Sequence, residues 1–269
     1  MNFAGLDLSR PRIMGIINVT PDSFADAGET FDHSQAIDRG LQHINDGADI
    51  IDVGGESTRP GATSVSVEEE CRRILPVVEA LVGRNVPVSV DTRHAEVMIA
   101  GLKAGARVIN DVSALSHDHR SLKVAAMYGA DVILMHMRGS PDTMAGHTTY
   151  WDVVSEVRDY LQGRLKICWE AGIWPERLCV DPGIGFAKTP SQNFELLDRL
   201  RDLAVLQQPI LVGVSRKFGL DKPPKERLDY SVSLALRAIK NGARLIRVHD
   251  VAATRRAIDT WLSHGNEVK

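Results

Sequence analysis

Short runs of β-branched and aliphatic residues recur along the chain, at Ile13 to Asn18, Ile50 to Val53, Val86 to Val90, Arg107 to Asn110, Asp131 to Met135, Leu178 to Asp181, Ile210 to Gly213 and Leu245 to Val248. They read as strands buried on both faces, because a half-exposed strand would alternate apolar with polar positions. Between them lie segments whose apolar residues fall at helical spacing, as in Ala36, Leu41, Ile44 and Ala48, or Val153, Val157, Leu161 and Leu165. Each such segment is long enough for a crossover helix with one face against the strands. Several of these helices close with the same punctuation, Asp46-Gly47-Ala48-Asp49, Ala104-Gly105-Ala106-Arg107, Tyr128-Gly129-Ala130-Asp131 and Asn241-Gly242-Ala243-Arg244, where glycine supplies a left-handed C-cap.

Eight strands alternating with helices predict a (β/α)8 TIM barrel occupying residues 1–269 as a single α/β domain; a doubly wound open sheet is the alternative. The two differ in where polar residues collect. Here every predicted strand has them at or just past its C-terminal end: Asn18, the Asp52 to Arg59 segment, Asp91, Asn110, His136, Asp181, Ser215 to Lys217, and Arg247 to Asp250. An open sheet gathers ligand groups mainly at one switch point, whereas a closed barrel brings all its strand ends to one mouth, so the distribution favours the barrel.

Composition narrows the function. The chain is 43% hydrophobic and 25% charged, enough to bury a sizeable core. A net charge of -3 leaves no basic surplus for a nucleic-acid backbone. No apolar run approaches membrane-spanning length, and Met1 to Arg12 lacks the apolar core of a secretory signal, so neither a membrane nor export is expected. Cys71, Cys168 and Cys179 are widely spaced and form no C-x-x-C pair. They suggest no disulfide framework and no structural zinc, which fits a reducing cytoplasm.

Two loops hold more functional groups than a connection needs. Asn18-Val19-Thr20-Pro21-Asp22-Ser23-Phe24 runs from the first strand into small and acidic residues, and by itself could be a turn with an Asx or capping interaction. Asp52-Val53-Gly54-Gly55-Glu56-Ser57-Thr58-Arg59-Pro60-Gly61 packs flexible glycines, two hydroxyls, an acid and an arginine after the second.

The strings N-V-T-P-D-S-F, D-V-G-G-E-S-T-R-P-G, S-V-D-T, I-N-D-V-S, M-H-M, D-P-G-I-G-F, S-R-K and R-V-H-D occur in this order. In this the chain resembles the dihydropteroate synthases, pterin-binding TIM-barrel enzymes of folate biosynthesis, from about Ile13 to Val251. The resemblance implies a transferase that condenses (7,8-dihydropterin-6-yl)methyl diphosphate with 4-aminobenzoate, giving 7,8-dihydropteroate and pyrophosphate in the presence of magnesium. It also implies a homodimer and a target for sulfonamides.

Site residues follow in the same way. Asp91, Asn110 and Asp181 are short polar side chains on three strand ends, a set suited to the edge of a flat heterocycle. Singly, Asp91 could cap a helix, and Asn110-Asp111 or Asp181-Pro182-Gly183 could be turns. By resemblance the three grip the pterin, with Thr58 also at the pterin diphosphate. Lys217 reaches the pterin and the second substrate, and Arg247 and His249 contact the diphosphate; these three are the catalytic candidates. Cations after the last two strands also suit the phosphate sites common in barrels. Phe24, Arg59, Pro60 and Phe186 match the aminobenzoate pocket, where an arginine can hold the carboxylate and aromatics cover the ring. Asn18 is the magnesium candidate, one oxygen ligand being sufficient for an ion that keeps its waters. His117-Asp118-His119 superficially resembles a metal pair, yet lies in a polar loop and reads as solvent-facing.

The match departs after Lys217, where Phe218-Gly219-Leu220-Asp221-Lys222-Pro223-Pro224-Lys225 runs directly into Glu226-Arg227-Leu228. The family usually continues with a serine and a longer stretch, so the segment looks about four residues short; if that is a true deletion, the serine contact to aminobenzoate is missing while the role of Lys217 stands. No G-x-S-x-G elbow or other nucleophile signature occurs, which points to direct displacement. Three rivals are a non-catalytic pterin-binding barrel, the pterin-binding part of a corrinoid methyltransferase, and an unrelated sugar-phosphate barrel enzyme. Asn18, Thr58, Arg59, Lys217, Arg247 and His249 together argue against the first, the lack of a cobalamin domain against the second, and the two loops against the third.

Overall fold

A computed structural model describes residues 1–20, 33–58, 64–218 and 223–265. A short antiparallel hairpin, β1 (Asn2–Phe3) and β2 (Leu6–Asp7), precedes β3 (Arg12–Asn18), α1 (His33–Asn45), β4 (Ile50–Gly54), α2 (Val67–Leu81), β5 (Val88–Asp91), α3 (Ala95–Lys103), β6 (Val108–Asp111) and α4 (Ser121–Tyr128). The chain continues through β7 (Asp131–Met135), α5 (Val153–Glu170), β8 (Leu178–Asp181), α6 (Pro190–Asp198), β9 (Leu211–Val212), α7 (Pro224–Lys240), β10 (Leu245–Val248) and α8 (Val251–Ser263).

Strands β3 to β10 pair in parallel in the order β8-β7-β6-β5-β4-β3-β10-β9. A parallel bridge between Val180 and Ile210 joins the two edges, so the sheet is a nearly closed eight-stranded barrel with helices around it. All eight predicted strands are present with ends shifted by at most two residues. The predicted helix ends are present too: Gly47, Gly105, Gly129 and Gly242 all have positive φ, at 92°, 104°, 62° and 109°.

Side-chain alternation along the strands explains how one barrel holds both a core and a site. Met14, Ile50, Val108, Ile133, Cys179, Leu211 and Leu245 form a buried apolar layer inside the barrel, and Phe3, Ala4 and Leu8 of the N-terminal segment pack against it. The hairpin thus plugs the end where the strands begin. Two residues further along the same faces stand Asp52, Asn110, Met135, Asp181, Gly213 and Arg247. One step of the pleat therefore brings four polar side chains, Asp52, Asn110, Asp181 and Arg247, into the interior beside the apolar Ile16 and Met135. The opposite faces carry Ile13, Ile17, Ile51, Val53, Val90, Ile109, Val132, Val180 and Ile246 into the layer beneath the helices.

Candidate active site

The polar layer is a bonded network. Asp52, fully buried on β4, accepts from Arg247 Nε at 2.6 Å and from Asn110 Nδ2 at 3.1 Å, both at Oδ2. Arg247 Nη2 donates to Asp91 Oδ2 at 2.6 Å. One guanidinium from β10 thus bridges carboxylates from β4 and β5. Burial pushes the Asp91 carboxyl above the usual range, against the pull of Arg247. Gly54 makes room beside it, since a Cβ there would lie 3.3 Å from Asp91 Cβ.

Asp181 is buried at the end of β8, and its Oδ1 accepts from Gly183 N at 2.7 Å. Burial raises its carboxyl, while Lys217, the Gly183 amide, Arg247 and Lys188 oppose the rise. Lys217, just past β9, donates from Nζ to Ile184 O at 2.6 Å and lies 4.6 Å from the Phe186 ring centre. Burial lowers its ammonium to about 8, with Asp181 pulling the other way. A Cβ on Gly213 would lie 3.7 Å from Lys217 Nζ and 3.8 Å from Arg247 Cβ, so this position keeps the space between the two cations open. Phe186 packs with Val112, Met135, Met137, Met144 and Ala187 in a buried cluster at the mouth.

Across the mouth, Asn18 Nδ2 and His249 Nε2 are 3.4 Å apart. The other imidazole nitrogen, Nδ1, is 3.1 Å from Ser215 Oγ, which also accepts from His249 N at 3.2 Å. Thr58 stands half-buried past the end of β4.

The structure thus brings Asn18, Asp91, Asn110, Asp181, Phe186, Lys217, Arg247 and His249 to the strand ends. Phe24, Arg59, Pro60 and the shortened segment at residues 219–222 lie outside the described residues. His117 and His119 are exposed, as expected. Arg247 differs from the simple expectation of a cation waiting for an anion, because it is already paired with two carboxylates. Sequence reasoning also passed over Asp52 and Lys188 as site residues. Lys188 is only 8% exposed, and its Nζ is 3.0 Å from Gly183 O, Phe186 O and His136 Nδ1. Asp52 had a visible signal, a carboxylate two residues beyond Ile50 on an inward face; Lys188 had none.

The sequence profile of the family described as "Pterin binding enzyme" matches residues 14–249. The chain is 49% identical over 258 residues to the dihydropteroate synthase of Escherichia coli K12, covering 94% of this chain and 91% of that one. The solved Xanthomonas albilineans dihydropteroate synthase with 4-aminobenzoic acid superposes with a TM-score of 0.90 at 46% identity, covering 97% of this chain and 96% of that one. A Yersinia pestis dihydropteroate synthase in complex with a sulfonamide drug gives 0.91 at 43% identity, with 97% and 96% covered. Barrel topology, strand-end chemistry and this degree of identity agree, and the chain belongs to the dihydropteroate synthases, transferases of folate biosynthesis.

Proposed function

We propose that the mouth of this barrel carries out the family's condensation, of (7,8-dihydropterin-6-yl)methyl diphosphate with 4-aminobenzoate, through the residues described above. The observation that supports it is convergence: acceptors from β5, β6 and β8 meet cations from β10 and the loop after β9 at one end of the barrel. A flat donor-bearing ring and an anionic tail joined to it need that pairing of surfaces.

Asp181 and Asp91 accept from the N–H groups of the pterin edge, and Asn110, with Nδ2 committed to Asp52, meets the ring through Oδ1. Lys217 lies between the pterin and the face of Phe186, where it steers both substrates. Arg247, His249 and Thr58 receive the diphosphate. The carbon–oxygen bond to the diphosphate breaks as the aminobenzoate nitrogen bonds to the methylene carbon, and the nitrogen then gives up a proton. Positive charge developing at that carbon is delocalised into the pterin, while negative charge grows on the leaving oxygen facing Arg247 and His249. Phe24, Arg59 and Pro60 are proposed, from their motifs, to hold the aminobenzoate ring and carboxylate. A sulfonamide would compete for that place.

Magnesium fits the residues present. It prefers oxygen ligands and retains water, and Asn18, whose Nδ2 lies 3.4 Å from His249 Nε2, offers one amide oxygen. Among the described residues no group of three or more His, Cys, Asp or Glu side chains is arranged for an all-protein cage. Asn18 would hold the ion against the diphosphate, and once bound it supplies charge neutralisation of the leaving group.

A cytoplasmic location is proposed from the three free cysteines, and among the described residues no helix is long and apolar enough to cross a membrane. A homodimer is proposed too, with the largely apolar groove of Leu236, Ala257, Thr260 and Trp261 between α7 and α8 as its candidate face; sedimentation tests it. The deciding experiment is an assay of pyrophosphate release with the dihydropterin diphosphate, aminobenzoate and magnesium. Tight diphosphate binding without turnover would instead favour a barrel that only binds pterins.

A further inference from the structure

The segment from Asp181 to Lys188 turns the chain from β8 towards α6, and Asp181 and Phe186 lie on it as the groups proposed to meet the two substrates. Three of its amides and several of its carbonyls are hydrogen-bonded. Gly183 N donates to Asp181 Oδ1 at 2.7 Å, Gly185 N to Asn193 Oδ1 at 2.7 Å and Phe186 N to Gly183 O at 3.1 Å. Its carbonyls are divided between two ammonium groups: Ile184 O takes Lys217 at 2.6 Å, while Gly183 O and Phe186 O each take Lys188 at 3.0 Å. Lys188 Nζ also lies 3.4 Å from His136 O and 3.0 Å from His136 Nδ1. The turn is pressed onto the end of β7 so closely that a Cβ on Gly183 would sit 1.9 Å from His136 O, and Gly183 has φ +69°.

A buried ammonium is expensive, and the usual compensation is a paired carboxylate. Among the described residues the hydrogen-bond partners of Lys188 are carbonyls and an imidazole instead. Burial lowers Lys188 to about 7, Asp181 raises it again, and Lys217 and Arg138 lower it further. Burial and the charges of Lys188 and Arg138 keep His136 neutral, leaving Nδ1 as an acceptor. A methionine would pack in this place without the desolvation cost, so the charge and its donors have a use that packing does not supply.

We propose that Lys188 is a positioning residue for both substrates, its ammonium fixing the turn that sets Asp181 and Phe186 relative to each other. The proposal rests on the assignment of those two residues to the pterin and aminobenzoate subsites. Lys188 also adds to the charges of Lys217 and Arg247 that oppose the burial-driven rise of the Asp181 carboxyl. Without that charge, pterin binding should be lost at a higher pH on the acid side.

The test compares Lys188→Met, Lys188→Gln and Asp181→Ala, each checked for folding by circular dichroism. For Lys188→Met, calorimetry should show a phosphate-free pterin fragment binding about 10-fold more weakly, as expected when buried carbonyls lose their donors. Its KM for aminobenzoate should rise by more than kcat falls, and the acid limb of fragment binding should move to higher pH. Lys188→Gln retains two donors without the charge; it should recover part of the affinity and keep the shifted limb. A folded variant with altered melting temperature but parental fragment affinity, KM and pH limb would overturn the proposal. Failure of both variants to fold would overturn it too, by assigning Lys188 to stability alone. Unchanged fragment binding in Asp181→Ala would instead bring down the subsite assignment, which separates the two failures.

Discussion

Arg247 Nη2 lies 2.6 Å from Asp91 Oδ2, so a residue proposed for the leaving group and one proposed for the pterin are bonded to each other before either substrate arrives. The same guanidinium donates from Nε to Asp52 at 2.6 Å. A guanidinium has five N–H donors, and two carboxylates do not exhaust them, so the remaining edge can turn to an anion without breaking the pair. Bound as proposed, pterin and diphosphate would meet one shared charge network, and changing a residue at one subsite should be felt at the other.

Asp52 is the clearest test of that sharing. Asp52→Asn preserves shape and leaves an oxygen for Asn110, but removes a buried counter-charge from Arg247. Loss of a charge-assisted hydrogen bond of this kind should lower kcat/KM for the dihydropterin diphosphate by about 10- to 100-fold. Steady-state kinetics within twofold of the parent would make Asp52 a core residue only.

Asp181→Ala removes an acceptor from the pterin edge and leaves its donors unpaired in a dry site, a loss of about 1 to 3 kcal/mol. Binding of the diphosphate substrate should weaken by roughly 5- to 150-fold. Calorimetry on the folded variant measures this directly, and parental affinity would take Asp181 out of the site.

The barrel and its mouth were legible in the sequence because both follow from alternation. Continuous apolar runs mark strands covered on both sides, and the first polar residue on an inward face marks where the core stops, as from Val108 to Asn110 or Leu245 to Arg247. Strand β9 is shorter than its apolar run suggests: Ile210 forms an isolated bridge to Val180 that closes the sheet, and its carbonyl accepts from Arg244 N and Leu245 N. Pairing is a different matter. Nothing in I-I-D-V-G says that the aspartate will bind an arginine 195 residues away, and a lysine in a loop ordinarily reads as a solvated charge. Lys188 is buried by the carbonyls of its own turn, and backbone groups carry no residue-specific signal.

Glu70 predicts a pH dependence of stability. It is fully buried on α2 beside the Thr92 hydroxyl, and His94 Nε2 is 4.0 Å away. Burial raises its carboxyl from 4.5 to about 7, against a hydrogen bond from Thr92, with Glu56 and Asp91 adding to the rise and Arg93 opposing it. The folded state therefore holds a proton that the unfolded chain releases near 4.5. Between those two values the folded state binds more protons, so this group's stabilisation is present at low pH and is lost as pH rises through about 7. The total change is at most about 3 kcal/mol. Glu70→Gln should remove that slope in melting temperature between pH 4.5 and 8; an unchanged slope would show that Glu70 does not titrate in this range.

Arg247→Met and His249→Ala separate leaving-group chemistry from pterin binding. Both face the proposed diphosphate site, so each should lose about 10- to 1,000-fold in kcat/KM, with part of the loss in kcat because negative charge on the leaving oxygen is largest in the transition state. They should differ with a pterin fragment that has no phosphates. His249 is 3.1 Å from Ser215 Oγ and stands beside Asn18, and its loss should leave fragment binding near the parental value. Arg247 is the partner of Asp91 and Asp52; its loss leaves two buried carboxylates without their shared cation. Asp91 should then keep its proton to higher pH and become a poorer acceptor, so Arg247→Met should weaken the fragment as well, and more at low pH than at high pH. Calorimetry from pH 6 to 9 measures the difference. Parental fragment binding in both variants would show that the two subsites are independent, and parental turnover in both would place the anion site elsewhere than the end of β10.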